Sequence, residues 1–294
     1  MEKCVLGRTG LSVTQLGYGA MELRGNREIS EDEVGRLLNG LLDSGINFID
    51  TALCYGISEE RIGRHISSRR GEYFLATKCG CNVYATDPRE PRHKYARDVL
   101  LRNIDESLSQ LKMDYVDIWQ LHNPPVDDIV NNGLVDAMRE VKAAGKTRFI
   151  SISTMVPEFI PVLEMGCFDT FQIPYSAFER KHEDLITQAG EAGIGIIIRG
   201  GVAGGQIAED SNDQNALDIW AKAKMDELLN GMTRSEFILR FTLTHPYCQT
   251  TIVGTSNWEH MKQNLASAAN GPLPAEVYEE AKRRLSAAGM VPGE

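Results

Sequence analysis

Residues 45–50, GINFID, form a short apolar run that ends in an acidic side chain, Asp50. The stretch that follows, TALCYG over residues 51–56, contains Tyr55 and ends in a glycine, which is common in turns. A short apolar run bounded by turn residues predicts a buried strand. Asp50 is therefore expected at the carboxyl end of a strand, with Tyr55 just beyond it in the loop.

Two later runs repeat this arrangement. Residues 73–78, YFLATK, end in Lys78, and residues 115–122, YVDIWQLH, end in His122. In a barrel of parallel strands, a reactive side chain at the carboxyl end of a strand indicates a catalytic position. The phenol of Tyr55, near the ammonium group of Lys78 and the imidazole of His122, could act as a proton donor. Reduction of a carbonyl group requires such a donor.

Strand-like runs alternate with helix-like runs along the chain, which predicts a parallel sheet with right-handed crossovers. The strand-like runs lie at residues 11–21, 45–50, 73–78, 115–122, 147–153, 168–173, 194–199 and 250–254. Eight strand–helix units are the number in a closed (β/α)8 barrel, also called a TIM barrel. We predict one domain over residues 1–294, with an N-terminal strand segment and an extra C-terminal helix over residues 274–289.

The main rival is an open, doubly wound α/β sheet. That fold places a GxGxxG turn after its first strand. Here Gly17 and Gly19 are followed by Ala20, Met21 and Glu22, so the third glycine is missing. The barrel is the better interpretation.

The composition excludes several functions. The chain has 294 residues, 42% of them hydrophobic, and a net charge of −10, which argues against a nucleic-acid partner. No signal-peptide run or membrane span is evident, and the six scattered cysteines suit a reduced, cytoplasmic protein. Cys79 and Cys81 have neither a CxxC nor a zinc-ligand spacing, and no histidine adjoins them, so we predict no metal site.

Several segments, in this order, resemble the aldo-keto reductases over nearly the whole chain. They are LGYGAM at 16–21, FIDTALCYGISEERIG at 48–63, ATK at 76–78, LHNP at 121–124, SIST at 151–154, FQIPYS at 171–176 and IVGTSNWEHMKQNLASA at 252–268. The resemblance implies a (β/α)8 barrel that reduces an aldehyde or ketone to an alcohol, or catalyses the reverse, with NADP(H) and without a metal.

The family's catalytic tetrad matches Asp50, Tyr55, Lys78 and His122 without substitution. The resemblance makes Tyr55 the general acid, and the ammonium group of Lys78 would lower the pKa of the phenol. Asp50 would hold Lys78 in place, and His122 would donate a hydrogen bond to the substrate oxygen. An isomerase or aldolase with Lys78 as a Schiff base is an alternative, but Asp50 argues against it.

The resemblance also implies positions for the cofactor. Ser153, Thr154 and Gln172 match residues that hold the nicotinamide carboxamide, although the family usually has asparagine in place of Thr154. Arg199 stands where an aromatic side chain commonly covers the nicotinamide, and the alternative is that it pairs with a carboxylate. The remaining matches are Ala20, Met21, Asp50, Gly200, Gly204, Gly254, Thr255, Ser256, His260, Gln263 and Asn264.

Gly254 and His260 stand where NADPH-selective relatives often carry lysine and arginine, so NAD(H) stays open beside NADP(H). An NADPH-binding sensor or regulatory subunit with slow turnover is the alternative function. The substrate, a small carbonyl or alcohol, is expected to contact the loops at 80–95 and 207–230, with the C-terminal tail as a further candidate. Its candidate contacts are Tyr84, His93, Tyr95, Trp119 and Trp220, and the alternative for each is a packing role. The oligomeric state is not predicted.

Overall fold

The computed structural model describes residues 2–25, 28–87, 89–209 and 211–293. Eight parallel strands form a closed barrel in which each strand pairs with the next and the last pairs with the first. A two-stranded hairpin, β1 (Lys3–Val5) and β2 (Ser12–Thr14), precedes the barrel. The barrel strands are β3 (Leu16–Gly19), β4 (Phe48–Asp50), β5 (Phe74–Cys79), β6 (Val116–His122), β7 (Thr147–Ser153), β8 (Thr170–Pro174), β9 (Gly195–Arg199) and β10 (Thr250–Val253). The (β/α)8 prediction is confirmed.

Helices connect the strands and cover the outside of the barrel, as right-handed crossovers require. They are α1 (Glu31–Asp43), α2 (Ser58–Ile66), α3 (Arg97–Leu111), α4 (Val126–Asn131), α5 (Leu134–Ala143), α6 (Phe159–Glu164), α7 (Glu183–Glu191), α8 (Gln214–Lys222), α9 (Arg234–Thr244), α10 (Trp258–Ala269) and α11 (Ala275–Ala287). The last of these is the predicted C-terminal helix. Among the described residues, no helix is long and apolar enough to cross a membrane.

The β1–β2 hairpin closes the amino-terminal end of the barrel. Leu6, Leu11 and Val13 are buried against inward-facing strand residues, among them Phe48 and Ile118. Gly7 allows the hairpin to approach β9, because its φ is +46° and a Cβ atom there would lie 2.2 Å from the backbone nitrogen of Gly195. This end of the barrel is therefore packed shut, which leaves the carboxyl ends of the strands open for a site.

Two elements differ from the sequence-based prediction. Residues 11–21 form two strands instead of one, because β2 pairs with β1 and only β3 enters the barrel. The helix expected over 130–145 is divided into α4 and α5 at Gly133, whose φ of +60° is incompatible with a continuous helix. Both differences arise from local backbone geometry that apolar periodicity does not report.

Candidate active site

The carboxyl ends of the barrel strands bring three polar side chains around Asp50, the last residue of β4. Its Oδ2 accepts a hydrogen bond from Lys78 Nζ at 2.5 Å. Its Oδ1 accepts from Gln120 Nε2 at 2.8 Å and from Gln172 Nε2 at 2.7 Å. Asp50 is only 2% exposed, so these donors provide the hydrogen bonds that a buried carboxylate requires.

Lys78 is buried next to Asp50 and uses its ammonium group in three contacts. Besides Asp50, Nζ donates to the carbonyl oxygen of Thr51 at 2.8 Å and to the Tyr55 hydroxyl at 3.3 Å. Burial alone would lower the pKa of Lys78, but the Asp50 carboxylate and the contact with Tyr55 raise it above its ordinary value. A protonated lysine in an ion pair is not a nucleophile, so this geometry disfavours the Schiff-base alternative.

Tyr55 lies in the loop after β4, as predicted, with its hydroxyl next to Lys78. Burial raises the pKa of its phenol above the ordinary value, and the Lys78 charge opposes that shift without reversing it. The expected direction of the lysine effect is therefore correct, but the net direction is opposite to the one inferred from sequence. The phenol therefore keeps its proton at neutral pH, and the adjacent Lys78 ammonium group is placed to favour the phenolate form.

His122 ends β6 beside Tyr55, with 5.9 Å between the two ring centroids. Burial lowers the pKa of the imidazole, which is therefore neutral at neutral pH. Its Nδ1 lies 3.3 Å from the Cys54 sulfur. If the thiol donates to Nδ1, the imidazole carries its proton on Nε2, where it can be donated to a substrate oxygen.

A cleft of about 1220 Å³ opens beside this cluster, and Asp50 and Tyr55 form part of its wall. Most of the residues predicted to contact a cofactor line it. They are Met21, Gln172, Arg199, Gly200, Gly204, Gly254, Thr255, His260, Gln263 and Asn264. The fold thus brings together residues from five separated parts of the sequence into one elongated surface.

Four predicted cofactor residues lie outside this lining: Ala20, Ser153, Thr154 and Ser256. The Ala20 carbonyl oxygen accepts a hydrogen bond from Ser58 Oγ at 2.8 Å. The Ser153 hydroxyl donates to Asn123 Oδ1 at 3.3 Å, and Ser153 pairs in register with Gln172 of β8. Ser153 and Thr154 are 1% exposed, so their contact with a cofactor stays a prediction.

The glycine-rich loop after β9 suits a large, charged ligand. Gly200, Gly204 and Gly205 line the cleft with φ values of +73°, +58° and +78°, which only glycine adopts without strain. No atom lies within 4 Å of the Cβ position at any of them, so the backbone faces open space. Bare backbone of this kind can approach a pyrophosphate closely, which fits a nicotinamide dinucleotide.

Arg199 ends β9 in the same cleft. Its Nε and Nη2 atoms are buried and have no hydrogen-bond partner among the described residues. Burial lowers the pKa of the guanidinium group. Buried polar atoms without a partner are costly, and Arg199 lines the cleft, so a ligand bound there is a candidate partner for its guanidinium group. The alternative of a direct pair with a carboxylate is not seen in the described part of the chain.

Arg199 also acts on His182, which holds the loop after β7. His182 Nε2 accepts a hydrogen bond from the Val156 backbone nitrogen at 3.0 Å, and its Nδ1 lies 3.8 Å from Glu179 Oε1. Burial and, next, the charge of Arg199 lower the pKa of His182 from 6.5 to about 4. The neutral imidazole is therefore the form that the folded protein stabilises.

We expect the stability of the fold to decrease in acid through His182. The unfolded chain takes up a proton at a higher pH than the folded chain, so the stabilisation is complete above pH 6.5 and is lost toward pH 4. Its loss by pH 5 should lower the free energy of unfolding by on the order of 1–2 kcal/mol. Urea unfolding at pH 7 and pH 5 measures this loss. A His182→Gln control should lack this part of the pH dependence. If the free energy of unfolding falls equally in both proteins between pH 7 and pH 5, the assignment to His182 is wrong.

Four of the five candidate substrate contacts fall into two groups, and the fifth, Tyr84, is 36% exposed with the Arg102 guanidinium group 4.0 Å from its ring centroid. Trp119 and Trp220 are 0% and 1% exposed and pack in the core, where Trp220 stacks on Phe178 and donates to Asp226. The expectation that these two contact a substrate is therefore wrong in this structure. His93 and Tyr95 instead lie beside His122, with the His93 and His122 ring centroids 4.7 Å apart.

Sequence reasoning missed other residues of the site. Gln120 lies two residues before His122 in the same strand, so the inward-facing side of β6 could have indicated it. The cysteines were predicted to be scattered, reduced thiols with no histidine near Cys81, yet the fold places Cys54 and Cys81 near His93 and His122. No spacing rule foresees this cluster, because its members follow three different strands.

The fold and the site together define a class of protein: a barrel oxidoreductase with a polar cluster at the strand ends and a dinucleotide-sized cleft. The sequence profile of the Aldo/keto reductase family matches residues 15–284, so the chain belongs to that family. The "Uncharacterized oxidoreductase YqkF" of Bacillus subtilis is 28% identical over 291 residues, covering 91% of each chain. The "L-galactose dehydrogenase" of Arabidopsis thaliana is also 28% identical, covering 91% of this chain and 88% of that protein.

A solved structure has the same architecture. The holo form of an aldo-keto reductase from Bacillus halodurans superposes with a TM-score of 0.85 and 26% sequence identity, covering 97% of this chain and 96% of that one. Members of the family use nicotinamide cofactors, which agrees with the cleft described above.

Proposed function

We propose that this protein reduces an aldehyde or ketone to an alcohol, or catalyses the reverse reaction, with NADP(H) as the favoured cofactor. The observation that carries this proposal is the chain of contacts from Asp50 through Lys78 to the Tyr55 hydroxyl at one end of the cleft. A protonated phenol beside a fixed ammonium group is suited to donate a proton to a carbonyl oxygen as negative charge develops there.

Each residue has a separate task. Tyr55 gives its proton to the substrate oxygen, and Lys78 stabilises the resulting phenolate. Asp50 fixes the position of Lys78, and Gln120 and Gln172 fix Asp50. His122 donates a hydrogen bond from Nε2 to the same oxygen. In the alcohol-oxidising direction the phenolate takes the proton back.

A nicotinamide cofactor would supply or accept the hydride when it is bound in the cleft. Gln172 and Arg199 would contact the nicotinamide end, because both lie beside Asp50 and Tyr55 in the cleft lining. Gly200, Gly204 and Gly205 would leave room for the pyrophosphate. Ser153 and Thr154 would be further partners for the carboxamide, as the family resemblance implies, since Ser153 pairs in register with Gln172.

The activity test is a panel of aldehydes, ketones and sugars with NADPH and NADH, followed at the absorbance of the reduced nicotinamide. Sugars belong in the panel because one of the similar proteins is named as an L-galactose dehydrogenase. Turnover of any substrate supports the proposal. Tight binding of NADPH with negligible turnover across the panel would favour the sensor or regulatory alternative instead.

His260, Gln263 and Asn264 lie on one face of α10 and line the cleft, where we place the adenosine end of the cofactor. An arginine at position 260 would offer a permanent charge and two parallel donors, which a histidine does not. We therefore expect His260→Arg to tighten NADPH binding by roughly 1–2 kcal/mol and to leave NADH binding almost unchanged. Fluorescence titration gives both dissociation constants.

The matched control for this comparison is His260→Gln, which keeps a hydrogen-bond donor and removes any possible charge. It should not improve NADPH binding. If His260→Arg shifts both cofactors equally, or shifts neither, His260 does not contact the 2′-phosphate.

A further inference from the structure

A second cluster of side chains lies beside the proposed acid, outside the large cleft. Two thiols and two imidazoles, those of Cys54, Cys81, His93 and His122, point their ligand atoms at one another, all within 4.8 Å. Cys54 lies in the loop after β4, Cys81 and His93 lie in the loop after β5, and His122 ends β6. These three strands are neighbours in the barrel. The reaction proposed above uses only His122 of the four.

The distances match those around a tetrahedral zinc ion. With Zn–S near 2.3 Å and Zn–N near 2.0–2.1 Å, the ligand atoms of a tetrahedral site lie about 3.4–3.8 Å apart. In this protein, His122 Nδ1 lies 3.3 Å from the Cys54 sulfur and 3.8 Å from the Cys81 sulfur. His93 Nε2 lies 3.9 Å from the Cys54 sulfur. The remaining pairs of ligand atoms lie within 4.8 Å of one another, so shifts of up to about 1 Å would complete the coordination.

The surrounding residues hold these ligands in place. The buried Asn103 side chain accepts hydrogen bonds from the backbone nitrogens of Gly80 and Cys81 at 2.9 and 3.0 Å, and donates to the Cys81 carbonyl oxygen at 3.1 Å. The Tyr95 ring stacks on His93 with its plane tilted by 5°, and its hydroxyl donates to the His122 carbonyl oxygen at 2.6 Å. A site held in this way needs little reordering when an ion binds.

We propose that Cys54, Cys81, His93 and His122 form a reversible zinc-binding site. Two thiolates and two neutral imidazoles form the ligand set of a closed, four-coordinate site, which has no open position for catalysis. On binding, each thiol loses its proton to the solvent and each sulfur forms one bond to the ion. Cys54, His93 and His122 are partly exposed, which gives the ion a path to the buried Cys81.

A zinc ion in this position would affect the imidazole that the reaction uses. Ligation through Nδ1 leaves the proton of His122 on Nε2 and prevents the ring from becoming doubly protonated. The ion would therefore act as a modulator of the site, and the reaction itself would proceed without it. Activity should accordingly survive exhaustive chelation, as the resemblance to a metal-free family implies.

The test is a metal titration of the full-length protein without cofactor or substrate, in a phosphine reductant that keeps the thiols reduced. One equivalent of Zn²⁺ per chain should bind, as measured by competition with a chromogenic chelator. Co²⁺ in its place should give the intense visible bands of tetrahedral cobalt and an ultraviolet thiolate-to-cobalt charge-transfer band. Because no turnover is involved, failure here would leave the proposed reductase function untouched.

Variants identify the ligands. Cys54→Ser and Cys81→Ser should each weaken zinc binding by more than about 100-fold, since the loss of even an outer hydrogen-bond partner of a ligand typically costs about 10–100-fold. His93→Ala should also weaken it and alter the cobalt spectrum. The matched control is Cys167→Ser, which changes a half-buried cysteine outside the cluster and should bind zinc as the parent does.

Three results would overturn the proposal. They are substoichiometric zinc uptake, an octahedral cobalt spectrum, or equal loss of affinity in Cys54→Ser and Cys167→Ser. If the Cys81→Ser protein fails to fold, the His93→Ala and Cys54→Ser variants still test whether these residues bind zinc. Formation of a Cys54–Cys81 disulfide under oxidant, without zinc binding under reductant, would assign the thiol pair to redox chemistry instead.

Discussion

Replacing Tyr55 with phenylalanine is expected to lower carbonyl reduction by about 10²–10⁴-fold while cofactor binding is retained. A positioned general acid typically contributes a factor of this size, and the substitution removes only the hydroxyl group. The lost group accepts one hydrogen bond, from Lys78 at 3.3 Å, so the fold should be little affected. Steady-state rates and NADPH titrations of the purified variant measure the two effects separately.

The control for this substitution is Tyr115→Phe. Tyr115 immediately precedes β6 at the amino-terminal end of the barrel, far from His122 at the other end of the same strand, and it is 37% exposed. That variant should keep the activity of the parent. Retention of most of the turnover by Tyr55→Phe would assign the proton donor to another group.

Replacing Lys78 with methionine is expected to abolish turnover to a similar extent and also to destabilise the fold. The phenolate of Tyr55 would lose its neighbouring charge, so the acid would become weaker. Asp50 would remain buried without its cation, and breaking a buried ion pair typically costs about 3–5 kcal/mol. Activity assays and urea unfolding curves report the two consequences.

A double variant separates the catalytic effect from the structural one. Asp50→Asn combined with Lys78→Met removes both buried charges and keeps an acceptor for Gln120 and Gln172, so it should recover part of the stability but none of the turnover. Lys142→Met, which breaks a partly exposed ion pair to Asp169, should leave activity intact. Borohydride trapping of a substrate adduct on Lys78 would favour Schiff-base chemistry instead.

The barrel and the positions of its strand ends could be predicted from the sequence, since buried parallel strands are near-continuous apolar runs separated by helical periodicity. That pattern placed Asp50, Lys78 and His122 at strand ends. It did not reveal that residues 11–21 divide between the hairpin and the barrel, or that Gly133 separates two helices. Those features depend on single turns, which carry little periodic signal.

The chemistry of the site could be predicted in part from the sequence as well. The residue types of the tetrad and their order along the chain pointed to carbonyl reduction, and the resemblance carried that inference to named positions. The sequence also indicated that Lys78 would favour the phenolate of Tyr55. It could not give the net pKa shift, because the cost of burying the phenol depends on how completely the barrel excludes water.

The amino-acid sequence by itself thus determined the class of fold and the polar residues that lie at the strand ends. Only the tertiary structure decided which side chains surround them: Gln120 on Asp50, the unpaired atoms of Arg199 in the cleft, and two cysteines beside two histidines. The physical reason is that closing a barrel brings the ends of sequence-distant strands within a few ångströms. Contacts between such ends depend on strand register and loop path, neither of which is encoded in local spacing.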